Sequence, residues 1–387
     1  MKTSALFASL LLLAGSQALY AQEENTEPKF KINPTGRILL DGALYASPQK
    51  ELFKDGVAIP DARLGVKMQY GKWKAKIDVG FAYNKVGLKD LFFEYDFNDA
   101  NLIRVGSFIH QYGLQSATSS SMKPTMEEPV ANAVFNDSRQ IGVMYEASYD
   151  KYLGTVSAHA EPSATTVILA PTQFTKEGYG FRTRQVWRPL HNDGTNFQVG
   201  MSGAFGTPQR SGDPDEHDSF TFKSNFPTRV AQVTALNAVV DNAMNLWKFT
   251  PELLISHGPV ALESQYYYQR VNRRHNLHSF TGQGAYATVR GLLFGDKNYA
   301  YSMLDGGLAT PSKGTLEVVA NYTYVTLSDA SAGVFGGRMN DLSVTFNYYI
   351  NKYMLARLHY SYTHTWDRTG APSTSVNGFM ARLQVIF

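Results

Sequence analysis

Lys72, Lys74 and Lys76 recur at a spacing of two, which on an extended strand puts three ammonium groups on one face. Arg63 and Lys67 stand just before them on a stretch that also alternates. Together these five cations could guide anions through a narrow aqueous passage, because a positive lining lowers the barrier for negative solutes. The same lysines also fit a rim, with their stems along apolar surface and their heads in water. Arg357 and Arg382 are further basic candidates on predicted lumen faces. Other chemistry has less to stand on. His359 and Ser361 share one strand face, but nucleophilic catalysis needs a third group to orient the pair. His275 and His278 have no Cys and no nearby carboxylate to complete a metal set. With Arg270, Arg273 and Arg274 they form a basic loop cluster, read as a solvated tip or as an attractor of lipopolysaccharide. No catalytic residue, metal or cofactor is expected.

The elements that must hold these residues are strands. In Lys72 to Asn84, Trp73, Ala75, Ile77, Val79, Phe81 and Tyr83 form one face, opposite Lys72, Lys74, Lys76 and Asp78. Leu64, Val66, Met68 and Tyr70 oppose Arg63, Gly65, Lys67 and Gln69, and Lys89 to Phe97 sets Leu91, Phe93, Tyr95 and Phe97 against Asp90, Glu94 and Asp96. Such two-faced strands suit a wall between lipid and an aqueous lumen. Ile38 to Tyr45 and Ile103 to Phe108 are predicted as neighbours. Leu316 to Tyr324, Leu342 to Ile350 and Met354 to Trp366 repeat the pattern, with turns at Asn351-Lys352 and Asp367 to Ser375. In the middle, Gly180 to Trp187, Phe197 to Phe205, Leu246 to Ile255 and Val260 to Gln269 read as strands. Pro189 to Thr195, Gly206 to Asp218 and Lys223 to Asp241 read as their connections.

The last ten residues, GFMARLQVIF, alternate to the end: Phe379, Ala381, Leu383, Val385 and Phe387 share one face. Chain ends usually fray into water, whereas a membrane barrel must close its last strand on its first and show lipid an apolar face. Phe387 is therefore expected to be the closing signal. Met1 to Ala21 has the layout of a secretory signal peptide, with Lys2, an apolar Ala5 to Ala14 and small residues before a cut. Residues 22–387 then form one barrel domain of an exported outer-membrane protein. The chain has no Cys among 387 residues and a net charge of +3, which excludes a disulfide-stapled domain and a nucleic-acid binder.

Leu114 to Asp137 breaks the rhythm and is too long for a hairpin turn. Ser119, Ser120, Ser121, Glu127 and Glu128 are candidates for a constriction loop that folds inward, anchored by Met122, Met126 and Phe135. A loose extracellular loop is the other reading.

Val105-Gly106-Ser107-Phe108, Tyr112-Gly113-Leu114, Thr118-Ser119-Ser120, Met126-Glu127 and Arg139-Gln140-Ile141-Gly142-Val143 resemble a block of the phosphate-selective porin O and P family. The likeness resumes through Leu293 to Tyr299, Gly314 to Glu317, Ala320 to Tyr322 and Phe346 to Asn351, and is thin between Asp150 and Arg290. It departs at Ser107, Ile109, His110 and Gln111, where one basic position of that pattern is lost, and at Asn321, where a second is lost. The resemblance implies a closed, all-β, antiparallel transmembrane barrel of sixteen strands that assembles as a homotrimer. The expected function is passive diffusion of small hydrophilic or anionic solutes, with phosphate preference as the finer expectation. The alternative is a structural or adhesive barrel with a blocked lumen. Outer-membrane lipid, lipopolysaccharide and the barrel assembly machinery are the expected partners.

Overall fold

The computed structural model describes residues 28–83, 85–119, 122–160, 174–176, 178–192, 194–208, 210–211 and 218–387. The predicted signal peptide, Ser120, Ser121 and most of Gly206 to Asp218 lie outside these residues.

Sixteen antiparallel strands close into one barrel. They are β1 Lys31–Ala46, β2 Gly56–Tyr70, β3 Trp73–Ala82, β4 Lys85–Asn98, β5 Asn101–Phe108, β6 Gln140–Ser148, β7 Tyr152–Ala160 and β8 Tyr179–Asn192. The circuit continues through β9 Thr195–Gly206, β10 Ala243–His257, β11 Val260–Arg273, β12 Phe280–Phe294, β13 Leu316–Asp329, β14 Val334–Tyr349, β15 Met354–Arg368 and β16 Thr374–Ile386. Each strand pairs with its sequence neighbour, so connections alternate between two ends: the lower carries short turns apart from 295–315, and the upper carries most of the long loops. No helix among the described residues is long and apolar enough to cross a membrane; the wall is made of strands.

Period two decides what each face meets. On β16, Phe379 and Leu383 point outward and stay exposed, while Met380, Arg382 and Gln384 point inward and are buried. The circuit closes as β16 pairs with β1, from Arg37 opposite Ile386 to Ala46 opposite Asn377. Phe387 extends that ladder: its N–H donates to Gly36 O at 3.0 Å, and Gly36 N–H donates back at 2.8 Å. A Cβ on Gly36 would lie 2.2 Å from Phe387 Cζ, so the terminal ring rests where a side chain would be.

Several middle expectations are corrected. The connection read at Pro189 to Thr195 is the continuation of β8, which runs to Asn192. Pro189 is accommodated because the β8–β9 register shifts between Phe197 and Val199, a bulge that needs no N–H from proline. The region read as polar from Lys223 to Asp241 is a hairpin, Phe220–Asn225 against Thr234–Val240. Strands β6, β7 and β12 are not among the stretches read as strands from the sequence, although β6 alternates, with Ile141, Val143 and Tyr145 outward.

The main apolar cluster lies inside the barrel. Two helices occur between β5 and β6: α1, Leu114–Ala117, and α2, Val130–Phe135. Val130, Val134 and Phe135 of α2 pack with Phe222 and Leu236 of the hairpin and with the inward-facing Tyr267, Phe280 and Val325.

Candidate functional site

The β5–β6 connection crosses the lumen and is fastened to distant strands by lumen-facing side chains. Gly113 N–H donates to Ser202 Oγ at 2.9 Å and Gln115 N–H to Gln265 Oε1 at 3.1 Å. Further along, Asn347 and Arg357 donate to the carbonyls of Pro124 and Lys123 at 2.7 and 2.8 Å. Arg382 bridges Asp41 at 2.6 Å and Glu127 at 2.5 Å, and Arg229 of the hairpin reaches Glu127 at 2.8 Å. Burial pushes the Glu127 carboxyl up, but the charges of Arg229 and Arg382 outweigh it and hold it at about 2. At the other end of the loop, Asp137 is shared by Arg182 and Lys248, and Phe135 stacks on Tyr267 with centroids 5.6 Å apart.

Two more segments occupy the interior. The hairpin tip reaches across the upper mouth, where Tyr83 Oη donates to Arg229 O at 2.7 Å, and Tyr45 Oη accepts from Ala231 N–H at 3.3 Å and contacts Thr228. From the lower end, the connection 295–315 tucks in beneath: Arg184 donates to Asp305 O and Gly306 O at 3.0 and 3.2 Å, and Arg188 to Met303 O at 2.9 Å. Arg184 is itself held bidentate by Glu252, and both side chains are fully buried. A Cβ on Gly307 would sit 3.1 Å from Leu114 Cδ1, so the lower segment meets α1 inside the barrel.

Inward-facing residues from β7 round to β16 are accordingly buried, whereas much of the inner face of β2–β5 keeps surface in water. On that wall Lys74 pairs with Glu94 at 3.2 Å and Asp96 at 2.6 Å, and Lys76 with Asp78 and Asp90, each at 2.7 Å. Arg104 reaches Glu94 and Arg139 reaches Asp90, both at 2.5 Å. Arg63 pairs with Asp61 at 2.7 Å. Three of the carboxylates lie underneath: Glu94, Asp78 and Asp90 are 7, 11 and 15% exposed, against 39, 23 and 22% for Lys74, Arg104 and Arg139, while Asp96, at 25%, is as open as its neighbours. Lys89 makes no ion pair among the described residues and feels the charges of Arg63 and Arg139 as well as that of Asp61.

The expected basic ladder is thus brought together in part. Lys74, Lys76 and Arg63 share the wall with carboxylates, and Lys67 is exposed. Lys72 sits at a lower turn and donates to Phe97 O at 2.8 Å, away from the ladder. Arg357 and Arg382 face inward but are buried struts that grip the loop. Of the loop candidates, Ser119 is exposed, while Glu127 and Glu128 are engaged by Arg382 and Lys123. Met126 and Phe135 are buried anchors, but Met122 is half exposed and anchors nothing. His359 hydrogen-bonds Thr345 at 2.7 Å rather than Ser361. Arg104, Arg139 and Lys89 were missed. The even spacing of Asp90, Glu94 and Asp96 held the signal for pairing, but a register shift between Ile77 and Val79 hides the parity of Lys89.

Solved structures of similar fold are outer-membrane proteins. OmpT of Vibrio cholerae (trimer form) matches at TM-score 0.59 and 10% identity, over 92% of this chain and 99% of that one. The outer membrane channel DcaP of Acinetobacter baumannii matches at 0.55 and 12%, over 95 and 100%. OprB of Pseudomonas putida matches at 0.53 and 9%, over 92 and 94%. No curated protein matches by sequence. The family description "Phosphate-selective porin O and P" matches residues 32–387, nearly the whole chain, and the chain belongs to that family.

Proposed function

We propose that this chain is an outer-membrane porin, a non-enzymatic passive channel for small hydrophilic solutes that prefers anions. Family membership and the outer-membrane channels among its structural neighbours support the channel. The observation that carries the anion preference is the wall of β2–β5, where Arg104 and Arg139 lie over Glu94 and Asp90 and Lys89 makes no ion pair among the described residues. A solute in the water beside this wall meets positive charge first. The inward loop sets the passage against the wall and serves as the constriction. A general anion bias fits better than a built phosphate site, because Asn321 is buried and bonded to Thr288 at 2.9 Å, and His110 is buried.

The same reading includes cleavage of residues 1–21 on export, recognition of Phe387 by the barrel assembly machinery, and a lipid- and lipopolysaccharide-facing outer band. It also includes a homotrimer. The outward depression between Leu40, Gly42, Val57, Phe346, Leu358 and Ala381, with small residues beside large ones, is the face offered to a second copy.

Planar-bilayer recordings under a salt gradient test the reading. The wild type should give an anion-signed reversal potential. Lys74→Gln with Lys76→Gln removes two cations, leaves Asp96 and Asp78 without an ion pair among the described residues, and should move that potential toward cation selectivity. An unchanged potential in that variant removes both lysines from the mechanism, and current block by phosphate restores the phosphate-specific reading. A structural barrel with a blocked lumen is the second reading, favoured by the hairpin that spans the mouth. Silence from correctly folded protein would establish it.

A further inference from the structure

Phe92 is out of place on the polar side of β4. It lies between Asp90 and Glu94 at the same parity, opposite Lys76 on β3 and Gly106 on β5. Its ring is half-buried, on the wall that faces water. Gly106 makes room for it: a Cβ there would come within 2.6 Å of Phe92 Cα. An aromatic row leads inward from Phe92 to Phe108, His110 and His159, with centroid separations of 6.0, 4.2 and 5.0 Å. Phe108, His110 and His159 are buried, so Phe92 is the end of the row that water reaches.

Cations flank this ring on both sides. Arg104 lies over Phe92 at 4.5 Å from the centroid while two of its nitrogens hold Glu94. Its Nη1 makes no hydrogen bond among the described residues. On the other side Arg139 spends only Nε on Asp90, and neither Nη makes a hydrogen bond among the described residues. Residues two apart on one strand face are about 7 Å apart, so unused guanidinium donors stand on either side of an accessible aromatic surface.

We infer that this stretch of the wall is a subsite for small aromatic carboxylates. The carboxylate takes the spare Arg104 or Arg139 donors, and the ring packs on Phe92 beside the stacked guanidinium. A mineral anion uses only the first half of that site, and an aliphatic acid gains little from the second. The inference rests on the anion-channel reading and names a solute class for the same passage.

The test is block of chloride current by benzoate, cyclohexanecarboxylate and acetate, each as its sodium salt. Benzoate should reach half-block at roughly fivefold lower concentration than cyclohexanecarboxylate, a factor in the range of one aromatic pair. Phe92→Leu should bring the two acids together, and Phe92→Tyr should keep them apart, with the chloride reversal potential unchanged in both. Folding of each variant is read independently from heat-modifiable gel mobility. A wild type that passes chloride with anion preference but treats the two acids alike sinks this inference alone. So does a Phe92→Leu channel that still separates them. Absence of chloride current or of anion preference sinks the parent reading as well.

Discussion

Gly106 shows how one residue can be fixed by the backbone of the neighbouring strand. Its φ is +140°, and an added Cβ would lie 2.2 Å from Leu91 O and 2.6 Å from Phe92 Cα. Both clashes are with backbone, which cannot swing aside as a side chain end can. Gly106→Ala should therefore lose about 2 kcal/mol or more, from backbone strain and overpacking together. Gly87→Ala on the adjacent strand meets nothing within 4 Å and should be neutral. The midpoint of heat-modifiable gel mobility checks the pair, and equal midpoints would refute the argument. At this scale the sequence was a partial guide. Lys74 and Lys76 were rightly placed on one face, yet they read as bare because their partners, Glu94, Asp96 and Asp90, come from the next strand in a register that only the fold defines. Arg357 and Arg382 looked like pore lining because parity shows which way a side chain points, not what is waiting there.

Loops and hairpins carry the moving parts. Glu127 is held at about 2 by Arg229 and Arg382, well below the ordinary glutamate value near 4.3. A carboxyl depressed on folding contributes its stabilisation above the unfolded value and loses it as pH falls through the folded one. Fastening of the loop should hold from neutral pH down to about 4, then fail as pH approaches 2. Single-channel conductance across that range reports it. A step centred near pH 4 to 5 would show that Glu127 does not govern the fastening. The hairpin tip is tied down by two tyrosine hydroxyls, Tyr45 and Tyr83. Tyr45→Phe with Tyr83→Phe removes contacts of about 1 kcal/mol each, so the undocked fraction should rise roughly thirtyfold. Faster proteolytic nicking between Phe226 and Val233 is the readout, and unaltered cleavage would count against a docked tip. The loop was read from the break in strand rhythm at Leu114 to Asp137, but the hairpin was not legible as such: its buried apolar residues, Phe222, Leu236, Ala238 and Val240, find their apolar partners on other strands and on α2.

Across the whole molecule, closure depends on the first and last strands meeting in register. Deleting Phe387 removes two backbone hydrogen bonds and the ring on Gly36, and should lower the folded fraction recovered from membranes, scored by the same gel shift. The barrel was legible because every membrane-facing strand must alternate, and the C-terminal third does so with few interruptions. What fills the barrel was not, since a polar inner face is equally suited to water and to an incoming loop. The three interior segments rest against the inner faces from β6 round through β16 to β1 and leave β2–β5 largely wet. That asymmetry divides labour around the circumference. Substitutions on the packed arc are felt as stability, because cavities and orphaned charges follow them. Substitutions on the wet arc are felt as permeability, and exposed charge changes there cost little folding energy. A lineage could therefore change what it admits by redrawing four strands, while the remaining twelve keep the barrel standing.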